Sequence, residues 1–351
     1  MIKDRVFNIS ELVRENVRRM KPYSSARDEF KGEADVFLDA NENPFPSPFN
    51  RYPDPLQWRI KEKLAAIKDV APEQIFLGNG SDEAIDLLIR AFCEPRQDEI
   101  LITEPTYGMY AVCADVNAVA INRVLLTPDY DLDVDATLNA ISPNTKIIFL
   151  CSPNNPSAAL LDRSHITRIL ETFNGIVVVD EAYIDFCTSP SWITELQRYP
   201  NLVVLQTFSK AWGLAALRCG MAYASTEIIS ILNKIKYPYN INIQTQELVL
   251  KALANEGQKN QWVSEILAAR QKLVKELEQL SLVNKVFRSD ANFVLVRVTD
   301  AAAIYEYLMN NGIIVRDRSR VTLCEGCLRI TIGTPDENKK LIDALKSFER
   351  I

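Results

Sequence analysis

The sequence predicts an α/β fold: a large domain around a mostly parallel seven-stranded sheet, followed by a smaller α+β domain. Three observations carry this reading. Six short runs, at residues 74–77, 98–103, 118–125, 146–151, 175–180 and 201–206, are apolar and mostly β-branched, as in strands buried on both faces, and 218–224 reads as one further strand. Helical segments separate several of them, which gives βα repeats and parallel pairing. From residue 78 onward, polar clusters follow the runs, and in such sheets ligands bind at the carboxyl ends of strands.

The elements follow in order. Ile9, Leu12, Val13 and Val17 have helical spacing, so residues 9–20 read as one short amphipathic helix that Pro22 ends. Residues 36–38 are strand-like. Four prolines between residues 44 and 53 make 43–55 an irregular loop. A lead this irregular is either disordered or an arm packed on another surface. Residues 56–70 are helical. The strand at 74–77, the turn Gly78-Asn-Gly-Ser-Asp-Glu83 and the helix at 84–92 form a strand–glycine turn–helix unit. Such a turn either cradles an anion on the helix N-terminus or is an ordinary cap supplied by Ser81 or Asp82. Residues 162–173 are helical. After Tyr239 comes a long helical region, with Gly257 as a break or bend. In its second half Trp262, Ile266, Ala269, Leu273, Leu277 and Leu280 line one face. Strands at 283–287, 292–298, 312–316 and 327–332, with helices at 301–311 and 335–350, make the smaller domain. The expected division is an arm at 1–50, a large domain at 51–245, a linking helical region at 246–280 and a small domain at 281–351.

Composition narrows the function. Forty Lys and Arg against 46 Asp and Glu give a net charge of −6, and no basic stripe suits nucleic acid. No apolar run approaches the roughly 20 residues that span a bilayer. Seven scattered cysteines fit reduced thiols in a cytoplasm better than a disulfide framework. Cys324 and Cys327 form a single pair and His165 is the one histidine, so no metal is expected. The lone histidine also disfavours Ser-His and Cys-His nucleophile systems.

The chemistry gathers around residues 206–220. Thr207, Ser209 and Lys210 follow a buried run, and Arg218 comes eight residues after Lys210. Burial disfavours a charged lysine, and a neutral amine forms Schiff bases. Two hydroxyls and an arginine suit a phosphate. Together they suggest a lysine that carries pyridoxal phosphate. That cofactor needs four further groups. Asp180, ending the Val-rich run at 175–180, suits its ring nitrogen. Asn155 and Tyr183 can donate to its phenolate oxygen. Tyr107 can stack on its ring.

Ser152-Pro-Asn-Asn-Pro156, Asp180-Glu-Ala-Tyr183, Ser209-Lys210 and Leu217-Arg218-Cys-Gly220 resemble the fold-type I pyridoxal-phosphate-dependent aminotransferases in order and spacing. Within that family, further segments resemble the histidinol-phosphate aminotransferase group. These are Lys21-Pro-Tyr23-Ser-Ser-Ala-Arg27, Asp39-Ala-Asn41-Glu42-Asn-Pro44, Arg51-Tyr52-Pro53, Pro105-Thr-Tyr107-Gly-Met-Tyr110 and Cys327-Leu-Arg329-Ile-Thr-Ile-Gly333.

The resemblance implies roles. Lys210 binds the cofactor covalently and shuttles a proton. Asp180 pairs with the ring nitrogen, Asn155 and Tyr183 bond the phenolate, and Tyr107 stacks. The N–H groups of Ser81 and Asp82, the Ser209 hydroxyl and Arg218 hold the phosphate, which Tyr52 reaches from a partner subunit. Arg329, with Tyr23 and Asn41, binds substrate. The implied activity is amino transfer between L-histidinol phosphate and 2-oxoglutarate, run in reverse in histidine biosynthesis, by a cytoplasmic homodimer. A phosphothreonine decarboxylase and an aromatic amino-acid aminotransferase of the same fold are the alternatives. At two places the family usually keeps a glycine where this chain has Ala158 and Ala216, which puts the local loop geometry in question.

Overall fold

A computed structural model describes residues 8–23 and 35–350. Arg27 and part of the expected 1–50 arm lie outside these residues. The large sheet contains β1 (Ile75–Asn79), β2 (Glu99–Glu104), β3 (Ala120–Leu125), β4 (Thr145–Cys151), β5 (Ile176–Asp180), β6 (Leu202–Thr207) and β7 (Cys219–Tyr223). Their spatial order is β1-β7-β6-β5-β4-β2-β3.

The strands from β6 through β5, β4 and β2 to β3 pair in parallel, as their buried β-branched runs lead one to expect. β7 runs antiparallel to both β6 and β1. A hydrophobic run carries no direction, so the sequence does not reveal this reversal. Its consequence is functional. The carboxyl ends of β1, β4, β5 and β6 and the amino end of β7 share one edge of the sheet. Residues that follow β1, β4, β5 and β6 therefore meet Arg218, which precedes β7.

Helices cover both faces. α1 (Ile9–Leu12) and α2 (Glu15–Arg19) lead the described chain, followed by α3 (Trp58–Lys68), α4 (Ser81–Phe92), α5 (Met109–Val116), α6 (Val134–Asn139), α7 (Arg163–Thr172), α8 (Thr226–Ile235) and α9 (Ile243–Leu253). Strand side chains alternate between faces. Ile148, Leu150, Val177 and Val179 pack with α3, α7 and α9. Ile147, Phe149, Ile176 and Val178 pack with α4, α5 and α8. The same alternation sends Asp180 and Cys151 toward the α4–α5 side.

Beyond it lie α10 (Glu256–Leu277), β8 (Val283–Val286), β9 (Phe293–Val298), α11 (Ala301–Asn310), β10 (Arg316–Asp317), β11 (Cys327–Thr331) and α12 (Pro335–Phe348). The second sheet is antiparallel throughout, in the order β10-β11-β9-β8. Leu273, Leu277 and Leu280 pack with it, but Trp262 is 44% exposed.

Several boundaries differ from the sequence reading. The helix expected at 9–20 is two pieces, because Val13 turns extended. The Arg14 N–H donates to the Ala91 carbonyl at 3.0 Å and its guanidinium pairs with Glu94 at 3.1 Å, so tertiary bonds override the helical period. Residues 36–38 form no strand, and Val36 and Leu38 are exposed. The break in the long helical region falls at Ala254 and Asn255, not at Gly257, which lies inside α10. The strand expected at 312–316 contracts to β10, because Gly312 takes φ +75° just after α11.

Glu181, next to Asp180, is buried and braces the β5 edge. Its carboxylate accepts bonds from the Ser191 hydroxyl, the Trp192 N–H at 2.7 Å and the Gln206 amide at 2.9 Å. Glu181→Ala removes the acceptor of three donors, of which the Gln206 amide alone keeps another, Ser191 Oγ at 3.3 Å, and is expected to cost about 3 kcal/mol, read from denaturant unfolding.

Candidate active site

The site starts where β1 meets α4. Gly80 takes φ +79°, and α4 begins at Ser81 with no side chain capping it. The first N–H groups of α4 therefore have no side-chain acceptor, which is the geometry that receives an anion. A Cβ on Gly80 would lie 2.6 Å from Arg218 Nη2. The Gly80 N–H donates to the Arg218 carbonyl at 2.8 Å, and Arg218 Nη2 lies 3.5 Å from Asp82 Oδ2. Arg218 is thus held over the helix N-terminus.

Asp180 forms the floor and is 3% exposed. Tyr110 donates to its Oδ2 at 2.7 Å, and the Ala182 N–H donates to Oδ1 at 3.0 Å. Burial pushes the carboxyl up to about 6, against the pull of those two bonds; Asp82 pushes it further up and Lys210 pulls it down. Tyr107 donates to Asp82 Oδ1 at 3.0 Å and meets Tyr110 edge to face.

Lys210 follows β6 and faces the Tyr183 ring, its Nζ 5.6 Å from the centroid. The residue as a whole is exposed, yet its amine is partly desolvated. That desolvation, followed by the charges of Arg329 and Arg218, holds the amine below the ordinary lysine value, with Asp180 opposing. The Ser209 N–H donates to Thr207 Oγ1 at 3.0 Å, which fixes the turn before the lysine.

Asn155 is buried, and its Oδ1 accepts from Arg329 Nη1. Arg329 comes from β11 and lies over the Phe293 ring. The loop carrying Asn155 is pinned by Asn154, whose amide donates to the Pro105 carbonyl and Ser157 Oγ, each at 2.9 Å. Ala158 does take φ +64°, a conformation that favours glycine. Ala216 does not: it sits in a short 3₁₀ turn, Ala215–Leu217, at ordinary φ.

Ser81, Asp82, Tyr107, Asn155 and Asp180 line one cavity of about 150 Å³ together with Tyr183, Ser209, Lys210 and Arg218. Arg329 reaches its edge through Asn155. Tyr52, Tyr23 and Asn41 are not brought there within one chain. Tyr52 is half exposed and stacks on Tyr239, Tyr23 is exposed, and Asn41 is exposed with φ +54°. The cavity offers an anion cradle, a buried carboxylate, a weakly basic amine and amide and phenol donors. That donor set fits pyridoxal phosphate.

A family model for aminotransferase class I and II matches residues 36–345. The chain belongs to this aminotransferase family. A histidinol-phosphate aminotransferase of Parabacteroides distasonis is 57% identical over 342 residues, 97% of this chain and 99% of that protein. The solved histidinol-phosphate aminotransferase of Clostridium acetobutylicum matches with TM-score 0.80 at 24% identity, covering 86% of this chain and 91% of that one. The Sinorhizobium meliloti enzyme of the same name, in complex with pyridoxal-5'-phosphate, matches with TM-score 0.77 at 23% identity, covering 88% and 90%. These two structures, at such identities, show the shared fold.

Cys151, Tyr110 and an arginine pair beside Arg329 were given no role in the sequence reading. Cys151 lines the cavity beside Asp180, its partner in strand register. Tyr110 bonds Asp180; it closes the segment Pro105–Tyr110 quoted above, but nothing in that segment pairs it with Asp180. Arg316 pairs in register with Arg329, and Arg318 lies two residues on with its Nε buried and unpartnered among the described residues. Burial and the charges of Arg329 and Arg316 hold the Arg318 guanidinium below the ordinary arginine value.

Asp180 is expected to make the stability of the cofactor-free aminotransferase pH-dependent. The folded chain binds its proton more tightly than the unfolded chain, so the contribution is complete below pH ~4 and lost as pH rises through ~6. The loss is about 3 kcal/mol. Unfolding measured between pH 4 and 7 should show this decline, and Asp180→Asn should flatten it.

Proposed function

We propose that this aminotransferase carries the amino group of glutamate to imidazole acetol phosphate, forming L-histidinol phosphate and 2-oxoglutarate, with pyridoxal 5'-phosphate as cofactor. The observation that carries the reading is the convergence of Lys210, buried Asp180 and the uncapped α4 N-terminus with Arg218 on one cavity. The substrate follows from the near full-length relatives.

When bound, the cofactor supplies an electron sink for charge developing at the substrate Cα. The N–H groups of Ser81 and Asp82, the Ser209 hydroxyl and Arg218 would hold its phosphate. Asp180 would hold a proton at its ring nitrogen, Asn155 and Tyr183 would donate to its phenolate oxygen, and Tyr107 would cover its ring face. Lys210, with its lowered basicity, takes and returns the proton at the substrate Cα. Arg329 binds the anionic end of each substrate, because its planar fork pairs with a carboxylate or a phosphate. Residues 51–245 form the cofactor-binding domain in this reading, and residues 281–351 carry Arg329.

Tyr52 is assigned to the cavity of a second copy in a homodimer, and Tyr23 and Asn41 to substrate binding. Supporting this, Leu38, Phe45 and Phe49 in the same arm are exposed large apolar side chains. Sedimentation of a fully active monomer would contradict it. Seven free cysteines support a reducing compartment, the cytoplasm. Among the described residues no helix is long and apolar enough to cross a membrane.

The deciding assay follows products from histidinol phosphate and 2-oxoglutarate beside phenylalanine and phosphothreonine. Glutamate formed fastest from histidinol phosphate supports the proposal. Carbon dioxide from phosphothreonine supports the decarboxylase, and faster turnover of phenylalanine supports the aromatic enzyme.

A further inference from the structure

We propose that Tyr110 is a positioning residue for Asp180, its phenol fixing the carboxylate that faces the cofactor's ring nitrogen. This rests on the assignment of Asp180 made above. The geometry is specific. Each carboxylate oxygen has one donor, the Tyr110 hydroxyl on Oδ2 at 2.7 Å and the Ala182 N–H on Oδ1 at 3.0 Å, so the group cannot swing without losing both. Tyr110 itself is locked. It is fully buried, stacks on Phe149 at 4.8 Å with 15° between planes, and meets Tyr107 at 5.7 Å and 84°. Tyr107 lies in the turn that enters α5 and Tyr110 in the first turn of that helix, so one short stretch places the ring-stacking residue and the brace on the acid.

The brace acts electrostatically as well as sterically. A phenol that donates to a carboxylate favours its ionised form, and a buried site amplifies that preference. The groups facing Asp180 are Asp82 from α4, Tyr107 just before α5, Tyr110 from α5, Cys151 from β4, Tyr183 after β5 and Lys210 after β6. Asp82 opposes ionisation and Lys210 favours it, and Lys210 is the residue committed to the cofactor. Tyr110 is thus the side-chain donor that stays with Asp180. A purely structural role predicts something different: the phenol only fills a hole and satisfies its own hydroxyl.

Cofactor affinity against pH separates the two roles. Binding of added pyridoxal phosphate is followed by tryptophan fluorescence in the wild type, Tyr110→Phe, Asp180→Asn and the double variant. Titrations of the free cofactor are common to all four and cancel. Tyr110→Phe keeps the ring and its stacking. It should move the acid limb of the affinity profile up by about one pH unit. The limb should vanish in Asp180→Asn, and adding Tyr110→Phe there should change affinity less than about twofold. An unmoved limb, or an equal loss at every pH, overturns the proposal. A wild-type limb in Asp180→Asn overturns the assignment of Asp180 and the proposal with it, whereas an unmoved limb in Tyr110→Phe alone leaves that assignment standing. Should Tyr110→Phe fail to fold, fluorotyrosine in place of Tyr110 keeps the hydroxyl and donates more strongly. It should move the limb down, and no movement again overturns the proposal.

Discussion

Replacing Lys210 with alanine is expected to lower amino transfer by about 10⁴-fold or more while the fold survives. The two halves of that expectation have separate grounds. Lys210 is an exposed residue on a turn fixed by the Ser209–Thr207 bond, so truncation removes little packing. Its amine, however, is the one primary amine lining the cavity, and the partly buried setting beside Arg329 and Arg218 lowers its basicity. No neighbour among the cavity residues can replace it: Tyr183 and Tyr107 are held well above the ordinary tyrosine range by burial, so they release protons poorly. Unfolding should give a midpoint close to the wild type, and a glutamate-release assay should give the loss.

Gly220→Ala is expected to damage both fold and site. An added Cβ would lie 2.2 Å from the Ser81 backbone nitrogen, 2.6 Å from the Gly80 carbonyl carbon and 2.8 Å from Ser81 Cα. All three are backbone atoms, so no flexible side chain can yield. Either β7 leaves its register opposite β1, where Gly220 faces Gly78, or the start of α4 moves away. Overpacking of this kind costs about 3 kcal/mol. Displacing the first N–H groups of α4 should also weaken binding of pyridoxal phosphate by about 100-fold, read by titration of the purified chain. Gly257→Ala is the matched control. Gly257 lies inside α10 with open space around it, so alanine should stabilise the chain by about 0.5–1 kcal/mol without touching cofactor binding.

The sheet was legible because β-branched runs declare buried strands whatever their neighbours do. The runs ending at Cys151, Asp180 and Thr207 lie within a residue of where they were expected. Direction was not legible, and β7 shows why: Cys219–Tyr223 is apolar in either sense, and its reversal depends on how the chain returns from the 3₁₀ turn at Ala215–Leu217. Of the site, residues whose chemistry is local could be picked out, such as Lys210 beside its hydroxyls and Asp180 at a strand end. Residues whose role lies in reaching another element could not. Tyr110 reads as one more apolar position of α5 until β5 is placed beneath it. Arg316 and Arg318 read as surface charge until β10 is set against β11. The two alanines at family glycine positions part company for the same reason. Ala158 takes the positive φ and Ala216 does not, and only the folded backbone tells them apart.

The central claim is that one cavity passes nitrogen from glutamate to the carbon skeleton of histidinol phosphate, with Lys210 moving the proton at the substrate Cα. Supplying the cofactor-loaded protein with ¹⁵N-glutamate and imidazole acetol phosphate tests it most directly, with mass spectrometry of the histidinol phosphate formed. The predicted result is histidinol phosphate carrying one ¹⁵N per molecule, matched by 2-oxoglutarate and absent in Lys210→Ala. Unlabelled histidinol phosphate, or label appearing in phenylalanine from added phenylpyruvate but not in histidinol phosphate, would contradict it.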